Sequence, residues 1–138
     1  MIKEHHDSIA DLVDVVIMSS TLKKAVKEIF EEISKTKSNL KRVLNMSESG
    51  AGQRVFPPRT SKNDEKFGLR LDKGEPVQGK PGFIRLNLQA NSNAKNNTIR
   101  EMAQKDSHRV LASIDIDTKQ EANKENASKL RDQLIGKL

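Results

Sequence analysis

The stretch FIRLNLQ, residues Phe83 to Gln89, is the clearest strand signal in the chain. Apolar and polar residues alternate along it one by one, and a period of two places them on opposite faces of a β-strand. The inward residues are Ile84, Leu86 and Leu88, and the outward residues are Phe83, Arg85, Asn87 and Gln89. The alternation predicts a strand in a sheet that has one buried face and one solvent-exposed face.

Two further segments, 67–72 (FGLRLD) and 110–116 (VLASIDI), alternate in the same way and predict partner strands. Their outward residues are Arg70 and Asp72 in the first, and Leu111, Ser113 and Asp115 in the second. The sheet is therefore expected to have about three strands. The connector 72–82 is rich in Gly and Pro, which predicts an ordered loop or flap instead of a tight hairpin.

The N-terminal third carries a helical repeat. From Leu12 to Val43, apolar residues recur at alternating steps of three and four, as in a heptad. The repeat predicts either one long amphipathic helix or a helical hairpin broken at residues 19–21 (SST), where a hydroxyl can cap a second helix. Such a seam suits packing inside the chain or a homodimer through residues 12–43.

Two shorter helices are predicted nearer to the C-terminus. Thr98 with Glu101, and Thr118 with Glu121, each match the capping-box pattern. The first pair is expected to open a short helix that ends at about Lys105, and the second pair precedes a C-terminal helix.

Residues 47–66 show no periodicity, and their Gly and Pro residues break both regular structures. They are expected to form a linker. The chain then divides into a heptad-like helical arm (1–46), this linker, and a basic α+β module with a C-terminal helix (67–138). The predicted fold class is α+β, with an N-terminal helix or helical hairpin, a small sheet and a C-terminal helix.

The composition narrows the class of protein. Cysteine is absent from the 138 residues, which excludes disulfides, thiolate metal sites and thiolate nucleophiles. The N-terminus lacks the layout of a signal peptide, and the apolar-rich run at 9–18 is too short to span a bilayer and carries Asp11 and Asp14. We therefore expect a cytoplasmic protein without a membrane partner.

Positive charge is confined to the middle of the chain. Residues 49–109 contain 12 Lys and Arg against 6 Asp and Glu, whereas 1–48 and 110–138 are each neutral. This segment also contains two of the predicted strands, so a cationic face on a small sheet is expected. Such a face favours a polyanionic partner, and we predict a module that binds RNA or single-stranded DNA.

The candidate nucleic-acid-binding residues combine cations, amides and one aromatic ring. Arginine can bind phosphate through two hydrogen bonds, and an exposed Phe can stack on an unpaired base. The candidates are Arg70, Lys80, Phe83, Arg85, Asn87, Arg100, Lys105 and Arg109. The alternative interpretation is an ordinary solvated sheet face with surface cations that serve solubility.

His108 supplies a second hypothesis, a small metal-independent ribonuclease of the toxin type. A histidine beside a cation can act as general acid or base for attack of the 2′-OH on RNA, and Arg109 would hold the phosphate. The alternative for His108 is a structural residue at the start of a strand. Whether the chain is an enzyme is left open by the sequence.

A third hypothesis is an inhibitor or adaptor that recognises an acidic protein partner through the same basic face. No metal site is predicted, because the candidate metal ligands Asp115 and Asp117 lie on the strand face opposite to His108. No cofactor is predicted either, since SGAGQR at 49–54 matches neither a P-loop nor a dinucleotide fingerprint.

Overall fold

The structure is a computed structural model that describes the backbone of residues 2–105 and 110–138, and the side chains from residue 15 onward within these ranges. The fold is α+β, as predicted. Within the described residues, five helices accompany one antiparallel sheet of four strands. The helices are α1 (Ile2–Ile33), α2 (Lys37–Leu44), α3 (Ser61–Phe67), α4 (Asn97–Lys105) and α5 (Lys124–Gly136); the strands are β1 (Arg54–Phe56), β2 (Leu69–Pro76), β3 (Phe83–Ala90) and β4 (Val110–Asp117).

The strands lie in the order β1-β2-β3-β4, and each strand is antiparallel to its neighbour. The three predicted strands are β2, β3 and β4. Seven of their apolar positions are buried at 4% exposure or less: Leu69, Leu71, Ile84, Leu86, Leu88, Ile114 and Ile116. The alternation fails at the start of two predicted strands, because Phe67 ends helix α3 and Val110 is 40% exposed. Helices α1, α4 and α5 contribute to the same core. Over these seven positions the period-two alternation correctly predicted the core face, whereas at the start of β4 Leu111, predicted outward, packs against the core.

The connector 72–82 is not a long loop. Strand β2 continues to Pro76, and the turn 77–82 closes the hairpin with a hydrogen bond of 2.9 Å from Val77 N to Phe83 O. A register irregularity between Lys73 and Pro76 accommodates Pro76, which has no N–H to donate to the ladder. The hydroxyl of Thr118 donates to Gly82 O at 2.7 Å and joins the end of β4 to this turn.

The N-terminal helix does not break at residues 19–21. Thr21 Oγ1 donates to Ile17 O at 2.9 Å, so this hydroxyl is satisfied one turn back inside α1 instead of capping a new helix. The chain turns at residues 34–36, where Thr36 Oγ1 accepts a hydrogen bond from Asn39 N at 3.0 Å and caps α2. A helical hairpin therefore forms, with its turn later in the chain than predicted.

The heptad seam is largely internal packing. Its apolar residues from the middle of α1 to α2 are buried in the core that the sheet shares: Leu22, Val26, Ile29, Ile33, Leu40 and Val43. Farther toward the N-terminus, Val15 is 59% exposed. Because the buried seam residues already contact the rest of the chain, they are not available to a partner copy. A homodimer through the remaining part of 12–43 stays a prediction.

The segment 47–66, predicted as a linker whose order the sequence left open, contains regular structure. It contributes strand β1, in which Val55 and Phe56 are buried, and nearly all of helix α3. Thr60 caps α3 by accepting from Asn63 N at 3.1 Å, and Gly68 ends it with a left-handed φ of 72°. A three-residue strand and a seven-residue helix are too short to show a period in sequence.

The two capping boxes are displaced from the true helix starts. Asn96 Oδ1 accepts from Ile99 N at 3.1 Å at the start of α4, and Asn123 Oδ1 accepts from Asn126 N at 2.8 Å at the start of α5. Asparagine is as good an N-cap as serine and better than threonine. The N-caps are therefore Asn96 instead of Thr98 and Asn123 instead of Thr118.

Across residues 2–105 and 110–138, none of the helices combines the length and the apolar character that crossing a membrane requires.

Candidate functional site

The outer face of the sheet is polar and lies opposite the helical layer. Antiparallel register places Arg54, Asp72, Asn87 and Ser113 in one row across the four strands. Adjacent rows pair Arg85 with Asp115 and Phe83 with Asp117. From Phe83 to Gln89 this face extends roughly 20 Å at the rise of an antiparallel strand.

At one end of the face, two cations share a single carboxylate. Lys80 Nζ lies 3.8 Å from Asp115 Oδ2, and Arg85 Nε lies 3.7 Å from Asp115 Oδ1. The Lys80 and Arg85 side chains are 58% and 54% exposed, so both ion pairs are solvent-screened and weak. Lys80 Nζ also lies 5.7 Å from the centroid of the half-buried Phe83 ring. Lys80 and Arg85 together exceed the charge of Asp115 by one, and Asp117 lies in the next row, opposite Phe83.

The middle of the face presents neutral amides. Ser113 Oγ donates to Asn87 Oδ1 at 2.7 Å, which leaves the amide nitrogen of Asn87 for another acceptor. Gly74 lies beside it, and a Cβ at position 74 would stand 3.0 Å from Asn87 Nδ2 and 3.1 Å from Arg85 Cβ. Glycine at 74 therefore gives both side chains their room.

Arg70 is held by its own neighbours. Its guanidinium donates to Asp72 Oδ2 at 3.1 Å, to Asn91 Oδ1 and Gln89 Oε1 at 2.8 Å each, and to Ala90 O at 3.2 Å. These four bonds engage four of the five N–H groups of an arginine. Arg70 therefore lies on the predicted face but presents no free pair of donors for two-pronged phosphate binding.

A cleft of about 510 Å³ opens at the other end of the face. Its walls come from the outer side of β1 and β2, the segment before α3, α3 itself and the loop that follows β3. The lining residues are Gly52, Arg54, Arg59, Asp64, Arg70, Asp72, Asn91, Ser92 and Asn93. Three arginines and two carboxylates thus converge on one concave surface.

The structure places five of the eight candidate binding residues on or beside the outer face: Arg70, Lys80, Phe83, Arg85 and Asn87. Lys80, Phe83 and Arg85 lie at one end of the face, whereas Arg70 lies at the other. Arg100 and Lys105 lie on α4, in the helical layer, where Arg100 Nη1 donates to Ala94 O at 3.1 Å. His108 and Arg109 lie outside the described residues, so the structure adds nothing to the ribonuclease hypothesis.

The cleft itself was not predicted as a site. Arg54, Arg59 and Asp64 belong to the segment interpreted as a linker, and Asn91 belongs to a polar loop. The sequence signal was the surplus of Lys and Arg over Asp and Glu in residues 49–109. The sequence could not show that these residues lie beside Arg70, because that depends on the pairing of β1 with β2.

The family model described as HrmA: Subtelomeric hrmA-associated cluster protein matches residues 18–133. The match covers the second half of α1, helices α2 to α4, all four strands and most of α5. No curated protein and no solved structure was found to be similar to the chain.

Proposed function

The chain belongs to the subtelomeric hrmA-associated cluster protein family, and we propose that it binds single-stranded nucleic acid, RNA or DNA, on the outer face of its sheet. The observation that carries the proposal is the cluster of Lys80, Arg85 and Phe83 around Asp115, next to the free amide of Asn87. A cation, a ring and an amide donor are the three contacts that an unpaired nucleotide uses.

Local charge supports a polyanion as the partner. On the outer face itself, three carboxylates (Asp72, Asp115 and Asp117) offset three arginines (Arg54, Arg70 and Arg85), so the face is less cationic than the segment 49–109. The surplus remains in exposed side chains at its borders, such as Lys80 and Arg59. Charges at the border attract a phosphate chain, while the neutral centre leaves room for bases.

The shape of the site favours an unpaired strand over a duplex. A single strand can splay its bases onto the half-buried Phe83 and the amides of Asn87 and Gln89, which lie along one side of β3. A duplex presents its phosphates outward and keeps its bases stacked, so it would use only the border cations. Single strands are therefore expected to bind more tightly than a duplex of the same sequence.

The test is fluorescence anisotropy of labelled RNA, DNA and duplex oligonucleotides at two salt concentrations. We expect salt-sensitive binding of the single strands and weaker binding by Arg85→Gln. Arg42→Gln, an exposed arginine on α2 in the helical layer, is the matched control and should leave the affinity unchanged. Absent or salt-insensitive binding would contradict the proposal and favour an acidic protein partner. A cytoplasmic location remains part of the proposal.

A further inference from the structure

We propose that the cleft lined by Arg54, Arg59, Arg70, Asp72 and Asn91 binds one nucleoside monophosphate unit, with the base against Arg70 and the phosphate at Arg59. The unit is either a free mononucleotide or one unpaired nucleotide of a strand. The second source rests on the proposed function, whereas the first does not. A volume of about 510 Å³ lies within the usual range for pockets that bind small molecules.

The charge of the cleft matches one phosphate group. Arg54 forms an ion pair with Asp64 and also donates to Pro57 O at 2.7 Å. Arg70 forms an ion pair with Asp72 at 3.1 Å. Arg59 is exposed and makes no ion pair with any residue that the structure describes. One unneutralised arginine suits a single phosphate better than a polyphosphate, which would need several.

Arg70 provides a fixed flat surface. Its four hydrogen bonds to Asp72, Gln89, Ala90 and Asn91 hold the guanidinium in one orientation, and about a quarter of the side chain stays exposed. Since its edge is occupied, the surface left for a ligand is mainly the face of the guanidinium. Guanidinium planes stack on unpaired bases. Because the lining of the cleft has no aromatic ring, Arg70 would provide the surface on which a base stacks.

Two buried polar atoms in the lining residues have no partner among the described residues: Asp72 Oδ1 and Asn91 Nδ2. Asp72 is 8% exposed and Asn91 is 3% exposed. Such atoms are rare in native proteins and call for a ligand or a water. One atom is an acceptor and the other a donor, and the pairing edge of a base offers a donor next to an acceptor. Both are nearly closed to solvent, so a small side-chain shift must accompany binding.

The experiment is a ¹H–¹⁵N NMR titration of the whole chain with the four nucleoside monophosphates, guanosine and inorganic phosphate as probes. We expect the monophosphates to shift the amide signals of residues 52–59 and 91–93. Arg59→Gln should weaken monophosphate binding at least tenfold and leave guanosine binding unchanged, because only the phosphate contact is lost. Arg42→Gln is again the matched control.

A second variant, Asn91→Asp, tests the floor of the cleft. It keeps the oxygen that accepts from Arg70 and replaces the unpartnered donor by an acceptor. We expect it to weaken guanosine as well as the monophosphates, by about the same factor. A melting temperature at or above that of the parent chain would show that the loss is not due to unfolding.

The outcomes separate the two proposals. The cleft proposal would be overturned if inorganic phosphate bound as tightly as the monophosphates. It would also be overturned if no monophosphate shifted the amide signals and Arg59→Gln left oligonucleotide binding unchanged. In the second case, the proposed function would still be supported if Arg85→Gln weakened oligonucleotide binding. Monophosphate binding without oligonucleotide binding would support the cleft and contradict the proposed function.

Discussion

Ser113 and Asn87 are joined side chain to side chain across β4 and β3, by a hydrogen bond of 2.7 Å from Ser113 Oγ to Asn87 Oδ1. The bond fixes which end of the amide remains available, because Oδ1 is occupied and Nδ2 has no partner among the residues that the structure describes. Gly74 keeps the space beside this nitrogen open, because a Cβ at position 74 would lie 3.0 Å from Asn87 Nδ2. A donor is thus presented at the centre of the outer face.

The first prediction concerns the charge at position 87. Asn87→Asp keeps the oxygen that accepts from Ser113 but replaces the free donor by a negative oxygen, which repels phosphate. We expect single-strand affinity to fall about tenfold, and to fall less with Asn87→Ala, which removes the donor without adding charge. Anisotropy titrations of the two variants side by side give the comparison. Unchanged affinity in both variants would mean that the strand does not approach Asn87.

The second prediction uses the carboxylate that Lys80 and Arg85 share. Asp115→Asn frees both cations, so single-strand affinity should rise by about fivefold, or roughly 1 kcal/mol. Arg85→Gln should lower the affinity and reduce the slope of log K against log salt by about one, as expected for one lost phosphate contact. Titrations at four salt concentrations measure both slopes. A higher single-strand affinity in Arg85→Gln would contradict the role of Arg85 as a phosphate contact.

The sequence predicted those elements of the fold whose periodicity is long enough to read. Eight-residue strands such as β3 and the 32-residue α1 each carry several repeats of their period, and their buried faces follow it. Strand β1 and helix α3 have only three and seven residues and are formed by tertiary contacts and caps. Position 21 was misread because a threonine hydroxyl can bond within a helix as well as cap one.

The candidate site was predictable only in its strand-borne part. Alternation alone placed Arg70, Arg85 and Asn87 on one face, because the residues of a strand are related by its period. It could not show that Asp72 and Gln89 occupy the guanidinium of Arg70, since that depends on register between strands. It also could not place the α4 cations on the opposite side of the sheet.

The third prediction concerns the end of α3. Gly68 has a φ of 72°, and a Cβ there would lie 3.2 Å from Ala94 Cβ. Gly68→Ala should therefore destabilise the fold by about 1–2 kcal/mol from backbone strain, with a further loss from the close contact. Gly136→Ala is the matched control, because nothing lies within 4 Å of a Cβ in the last turn of α5. Urea unfolding should show a loss for the first variant and no loss for the second.

The fourth prediction tests whether the helical arm is part of the same cooperative unit as the sheet. Ile29 of α1 is 1% exposed in the core shared with β2, β3 and α5, whereas Val15 on the same helix is 59% exposed. Ile29→Ala should cost about 2–5 kcal/mol, because it removes buried methyl groups and leaves a cavity. Val15→Ala should change stability by less than about 0.5 kcal/mol.

The shape of the unfolding transition gives a second test of whether α1 and the sheet form one cooperative unit. If α1 and the sheet share one core, helix and sheet signals must be lost together in a single transition, and Ile29→Ala must shift both to lower urea by the same amount. Far-ultraviolet circular dichroism reports the helices, and ¹H–¹⁵N cross-peaks of β3 report the sheet. Two separate transitions, with only the helical one sensitive to Ile29→Ala, would instead show an arm that folds independently of the α+β module. The burial of Leu22, Val26 and Ile33 against the remaining chain argues for the single transition.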